Sequence, residues 1–505
     1  MSTDIEPEPS RQPEAVGPTA AAAVADDFAY LSAGELARLI RARELSPVEL
    51  VEHTLRRIEA VNGSLHAFLT VCAERALQEA RRAEAVVVSG HRELGPLHGV
   101  PFSVKDLIDT KDVRTTFGSR LYEDNVPTED ALAVARLRDA GAILIGKTNT
   151  PEFGMLSETQ NLLGEDGRNP WDLTRTPAGS SGGAAAAVAA GLGPLALGND
   201  GVGSITAPSA MCGVVGLKPT TGRVPISPAP PGSRLFVAMG PMTRSVADAE
   251  LMLSVISGHD QRDPISLREP IPGSLCEEQS TPLRVAWTLD LGHFPVDADI
   301  TAACKEAVDA LATLGWPVTE DCPAIANPFP TYLPLFMADA WLELGPLAER
   351  SPEHLHPEVL AGILPSREVS TGAYIHALNQ LTVLKREIDD FFLDYDILAL
   401  PATATTAFPI GQPPTRIGGR PVEPDWMTYM PFAAAWNMGD NPVASVPCRP
   451  TARGLPVGLL LVARVGREDL VLRAARALEQ TCPWADRRPN NLFTETGAGD
   501  GARWA

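Results

Sequence analysis

A chain of 505 residues is long enough for a substantial core, and 44% hydrophobic with 21% charged residues excludes a disordered, collagen-like or small disulfide-stapled protein. A net charge of −21 opposes phosphate backbones and anionic lipid headgroups, so neither nucleic acid nor a membrane is an expected partner. Seven scattered cysteines, with no C-x-x-C pair, suit reduced thiols and a cytoplasmic protein.

Residues 1–26 are rich in Pro, Glu and Ala and lack the apolar mass to offset ordering entropy, so a disordered tail is expected there. The start is acidic and no run of about 18 apolar residues follows, which predicts neither a signal peptide nor a spanning helix. Ser32 and Glu35 stand at capping-box spacing, and Ser46-Pro47 with Glu49 gives a second helix start. Apolar residues then recur at helical spacing from Pro47 to about Val61 and from about Ala73 to Val87. From Leu97 the texture changes. Short apolar runs at Val100 to Val104 and Ala142 to Ile145 alternate with an amphipathic helix over Asp130 to Ala140. This alternation predicts an α/β fold: a large mixed, mainly parallel β-sheet with helices on both faces. A Gly/Ala/Ser-rich stretch from Ala178 to Gly222 contains a helix former at Ala184 to Ala190 and a strand at Pro194 to Gly198, which a flexible linker would not. Prolines blur the signal over about 259–424, where helices are expected near Asp299 to Leu314 and Tyr374 to Tyr395. Strands at Asp396 to Pro401 and Val457 to Val462, and a helix at Glu468 to Gln480, close the body. One domain over 27–490, with an irregular covering region over 259–424 and a tail over 491–505, fits this pattern.

Three segments carry chemistry. Gly99-Val100-Pro101-Phe102-Ser103-Val104-Lys105-Asp106 ends an apolar strand on a lysine, whose amine would be desolvated and lowered in pKa. Taken alone, that residue is better explained as a snorkelling or salt-bridged lysine. Gly179-Ser180-Ser181-Gly182-Gly183 leads into the Ala-rich helix and lacks the Lys-Ser/Thr of a P-loop. Gly198-Asn199-Asp200-Gly201-Val202-Gly203-Ser204-Ile205 sets a serine after a strand and a glycine-rich turn, where successive N–H groups can face an oxyanion. No G-x-S-x-G elbow accompanies these segments, none of the nine histidines sits in a catalytic motif, and His354 and His356 lie in a proline-rich loop. Cys212 reads as a buried structural thiol.

Together the segments resemble the amidase signature family, and the likeness extends through Asn169-Pro170-Trp171, Gly213 to Gly222, Asn441 to Pro447 and Gly454 to Gly458. It is densest from Leu97 to Val224. The resemblance implies a Ser-Ser-Lys amidohydrolase with Ser204 as nucleophile, Ser180 as proton relay 24 residues before it and Lys105 as base. It also implies a cis peptide at Gly179-Ser180, an oxyanion hole at Gly201, Val202 and Gly203, supporting roles for Ser181 and Asp200, and no metal or cofactor. Val202 stands where the family commonly has glycine, Thr206 where it has arginine, Asn199 where it has threonine and Ala178 where it has glycine.

The expected activity is hydrolysis of a small or aryl amide, anilide, carbamate or related acyl compound by a monomer or homodimer. Met155, Trp426, Tyr429 and Trp436 are candidates for an apolar substrate pocket, with core packing the other explanation for the aromatic residues. A glutaminase component of a tRNA-dependent amidotransferase, and a catalytically silent binding protein on the same scaffold, are the alternatives.

Overall fold

The computed structural model describes residues 28–90, 93–231, 235–271, 281–489 and 492. The expected tail at 1–26 lies outside them, and of the one at 491–505 only Leu492 is described; it is buried against the helix Gly182–Ala189 and its neighbours.

The predicted helix starts are where capping chemistry puts them. Ser32 Oγ accepts the Glu35 N–H at 3.1 Å at the head of the helix Ala33–Arg41. Ser46 Oγ accepts from Val48 and Glu49 at the head of Pro47–Leu65, which runs one turn beyond the expected Val61 and stops at His66 with φ 50°. The next helix, Ala73–Ser89, ends on Gly90 with φ 65°.

In chain order the strands are β1 (Phe68–Val71), β2 (Pro101–Lys105), β3 (Ile143–Thr148), β4 (Leu195–Asp200), β5 (Val215–Lys218), β6 (Ala238–Thr243), β7 (Val285–Trp287), β8 (Val318–Glu320), β9 (Ile397–Pro401), β10 (Arg416–Ile417), β11 (Arg420–Pro421), β12 (Val443–Pro447) and β13 (Gly458–Val462). β10 and β11 form a separate hairpin. The other strands form one 11-stranded sheet in the order β1-β3-β2-β4-β6-β5-β12-β13-β9-β7-β8. The sheet is mixed, as expected. Its parallel pairings lie in two runs, β3-β2-β4 and β9-β7-β8, whereas the strands between these runs pair antiparallel. Short links such as the one from β12 to β13 suffice for antiparallel neighbours, while a parallel pair needs a long crossover.

Both faces of the sheet are covered. Along β13, Leu459 and Leu461 enter one apolar cluster while Leu460 and Val462 enter another, and β9 divides Ile397 and Ala399 from Leu398 and Leu400 in the same way. Every residue of both strands is buried, which explains their continuous apolar runs in the sequence. The helices Ala298–Thr313, Thr371–Phe391 and Glu468–Thr481 lie close to their expected ranges. The helix Phe329–Arg350 was not foreseen, because it contains Pro334 and Pro346, residues that ordinarily interrupt helical hydrogen bonding. Among the described residues no helix is long and apolar enough to cross a membrane.

Candidate active site

β2 and β4 are parallel neighbours, so their carboxyl ends, Lys105 and Asp200, lie at one edge of the sheet. Open α/β sheets commonly place ligands at that edge. Ser180 arrives from the loop preceding the helix Gly182–Ala189, and Ser204 from the loop preceding the helix Thr206–Cys212. The Ser181 N–H donates to the Ser204 carbonyl at 3.1 Å and ties the two loops together.

The three candidate reacting groups form a hydrogen-bonded chain. Lys105 Nζ lies 2.7 Å from Ser180 Oγ, which lies 2.9 Å from Ser204 Oγ. Access rises along it: Lys105 is fully buried, Ser180 is 3% exposed and Ser204 is partly open. Burial drives the Lys105 amine well below the ordinary lysine range, and the Asp200 carboxylate opposes that shift only in part. With the amine charged, hydrogen bonds run outward from lysine to Ser204. With it neutral, they can reverse and draw the Ser204 proton inward. The peptide Gly179-Ser180 is cis. A Cβ at Gly179 would lie 2.9 Å from the Ser157 carbonyl carbon, so only glycine fits beside it.

Asp200 organises the loop that carries Ser204. Its buried carboxylate accepts N–H bonds from Gly203 (2.6 Å), Ile205 (2.7 Å) and Thr206 (3.2 Å), and from Asn437 Nδ2 (3.0 Å). With threonine at position 206, these four donors satisfy it. Asn437 also donates to the Phe236 carbonyl at 3.2 Å and anchors the loop to its neighbour. Nothing in the sequence marked Asn437 for this role, since it joins Asp200 across 237 positions of chain. Ser181 Oγ donates to the Asn199 carbonyl, 3.2 Å away.

The expected oxyanion donors need one correction. The Gly203 N–H is directed to Asp200, which withdraws it from that role. Gly201, Val202 and Ser204 have N–H groups without a protein acceptor among the described residues. Positive φ falls on Gly203 (110°) and not on Val202, so the β-branched side chain sits there without backbone strain. At Ala178, where the family commonly has glycine, φ is 63°, a conformation that a side chain disfavours.

A cavity of about 650 Å³ opens on Ser204, with Gly179 and Val202 in its wall. Met155, Trp426 and Tyr429 line it, and Tyr429 shares a hydrogen bond with Ser157. Trp436 does not: it is fully buried in the core beneath, close to Ala435 and Met438, where its bulk fills space between helices and sheet. Trp436→Ala is therefore expected to cost about 3–5 kcal/mol of stability in urea unfolding, as a cavity-forming core truncation does. Sequence reading missed Tyr332, Phe336 and Glu158 in the wall. The first two belong to the proline-containing helix, and Glu158 is an acid that burial lifts to about 7. His356 caps the helix Pro357–Ile363, accepting the Glu358 N–H at 3.3 Å. Cys212 is buried, and desolvation pushes its thiol far up.

The amidase family profile matches residues 49–472. An acylamidase of Rhodococcus erythropolis is 39% identical over 473 residues, spanning 91% of this chain and 97% of that protein. A component of the glutamyl-tRNA(Gln) amidotransferase of Moorella thermoacetica is 38% identical over 488 residues, spanning 91% of this chain and 98% of its own. Among solved structures, a bacterial aryl acylamidase of the amidase signature enzymes superposes with a TM-score of 0.84 at 27% identity, over 93% of this chain and 99% of that one. The 6-aminohexanoate cyclic dimer hydrolase gives 0.82 at 31% identity, over 92% and 99%. Similarity over nearly the whole length of such enzymes has one meaning: this chain belongs to the amidase signature family and is an amide hydrolase.

Proposed function

We propose that the chain hydrolyses small or aryl amides, anilides and related acyl compounds such as carbamates through an acyl-enzyme on Ser204. The observation that carries this reading is the unbroken Lys105–Ser180–Ser204 chain opening on an aromatic-walled cavity. Neutral Lys105 takes the proton of Ser180 as Ser180 takes that of Ser204, and Ser204 Oγ attacks the amide carbonyl. The N–H groups of Gly201, Val202 and Ser204 receive the charge that develops on oxygen. The proton returns along the same path to the leaving nitrogen, and water then releases the acyl group. Base, nucleophile and charge stabilisation all come from the chain itself, so the chemistry calls on no metal or cofactor.

The similarity to glutamyl-tRNA(Gln) amidotransferase components supports a second reading, a glutaminase working within a complex. The cavity supports it less. Its charged lining residues, among those described, are Glu158, Glu358 and Asp425, with no Lys or Arg to receive the α-carboxylate of free glutamine. Glutamine-dependent ammonia release would favour the second reading.

Rapid acid quenching of the enzyme with an anilide panel, followed by peptide mass spectrometry, tests the first. An acyl mass increment on the peptide bearing Ser204 is expected. Turnover with the increment on another residue would end the proposal.

A further inference from the structure

The substrate preference drawn here rests on the reading of the cavity beside Ser204 as the acyl-transfer site. The lining of that cavity has two parts. Leu333, Phe336 and Met337, from the helix Phe329–Arg350, supply an apolar wall, whereas Glu158, Glu358 and Asp425 carry carboxylates. Among the described residues no Lys, Arg or His lines it.

The three carboxylates act on one place. Burial first, and then Glu158, Asp425 and Glu358, push the phenol of Tyr429 above its ordinary range, so all three lie within electrostatic reach of that ring. None of them is paired with a Lys or Arg among the described residues. Glu358 is exposed and Asp425 partly so, which leaves both open to a bound group; Glu158, at 8% exposure, contributes chiefly its field. Hydrogen bonding does not account for the charges. Glu158 accepts the Gly411 N–H at 3.2 Å, and Asp425 accepts the Thr428 N–H at 3.2 Å as the cap of the helix Trp426–Tyr429; a glutamine and an asparagine could accept the same bonds.

The charges also burden the chemistry with a neutral substrate. Negative charge develops on the acyl oxygen as Ser204 attacks, and unpaired carboxylates in the same cavity oppose it. A cation on the substrate would offset them, and an aromatic ring beside carboxylates is a favourable seat for an ammonium group.

We propose that the cavity selects amides that carry an ammonium group remote from the scissile bond. The cation sits beside Tyr429 and faces the Glu358 and Asp425 carboxylates, while the remainder of the substrate lies against the apolar wall.

The test uses two pairs of anilides in which an ammonium group replaces a methyl group. 5-Aminopentanoyl and hexanoyl anilides vary the acyl side; acetanilides of 4-(aminomethyl)aniline and 4-ethylaniline vary the amine side. The ammonium-to-methyl ratio of kcat/KM in wild type is divided by that of the Glu358→Gln, Asp425→Asn double variant, which cancels intrinsic reactivity and any general loss of activity. For a member that is not turned over, the Ki against a hydrolysed anilide takes the place of kcat/KM. For one pair the quotient is expected to be about five- to thirtyfold, the effect of two partly screened charges on one cation, and adding Glu158→Gln should enlarge it. The charge-conserving Glu358→Asp, Asp425→Glu variant should give a quotient much nearer one. So should Glu59→Gln, Glu320→Gln, which removes two exposed carboxylates that do not line the cavity. Quotients of one for both pairs in the first variant would overturn the proposal, as would an equal quotient from the Glu59 and Glu320 variant, which would assign the preference to the protein's overall charge. Acyl trapping separates the two levels. If the acyl group is found on Ser204 and the quotients are one, only the proposed preference fails; if it is found on another residue, the underlying reading fails as well.

Discussion

Ser204→Ala is expected to lower kcat/KM for every hydrolysed anilide by about 10^5-fold or more, with folding intact. Ser204 Oγ is the one member of the chain that is open to the cavity, with Ser180 Oγ 2.9 Å behind it. Alanine removes the attacking atom and leaves both the backbone N–H groups and the Asp200 carboxylate that shapes their loop. Binding should therefore survive while chemistry does not. Equilibrium binding of an unreactive substrate analogue should change little, whereas single-turnover acylation should disappear. Residual activity near the wild-type level would assign nucleophilic attack to another group.

Lys105→Met should lower kcat by about 10^2- to 10^4-fold, the usual worth of a positioned general base. Methionine retains most of the volume and places no charge in a fully buried site. Lys105→Arg should not rescue the rate, because guanidinium stays protonated and has no lone pair to offer. In wild type, kcat/KM should rise with pH as the Lys105 amine loses its proton, and level off well before an ordinary lysine would titrate, since burial depresses this one. The variant should lack that rising limb.

The same shift has a stability consequence of defined sign. The folded-state pKa of Lys105 lies below the unfolded value of about 10.4, so the unfolded chain binds more protons between the two. The lysine's cost to the fold is full below its folded pKa and is relieved as pH rises towards the unfolded value. Lys105→Met should accordingly raise Tm most at neutral and lower pH, with the gain shrinking in alkali. Lys147 and Lys218, both buried and depressed to about 8, titrate in wild type and variant alike and cancel in the comparison. A gain in Tm independent of pH would show that Lys105 is not desolvated as described.

Local chemistry was legible from the chain alone. Ser32, Ser46, Lys105 and the Gly179 and Ser204 segments announce themselves because caps, strand ends and glycine-rich turns depend on neighbours a few residues away. The antiparallel centre of the sheet and the helix carrying Tyr332 did not, because short strands and internal prolines are settled by packing against remote segments. Trp436 and Trp426 are ten positions apart and equally aromatic, yet one fills the core and the other faces the cavity. No local signal separates them.

What the sequence by itself determined is the amide chemistry that its segments imply, and it singled out Lys105, Ser180 and Ser204, in their order along the chain, as the proposed reacting groups. The tertiary structure alone decided which N–H groups remain free, since Asp200 claims that of Gly203 and only the folded loop brings the two together. It also decided that Asn437, far along the chain, completes the carboxylate's shell, and that Tyr332 belongs to the cavity wall. The physical reason is one of range: reactivity is written in residue type and close spacing, whereas hydrogen-bond occupancy and cavity shape are properties of groups that meet only when the chain folds.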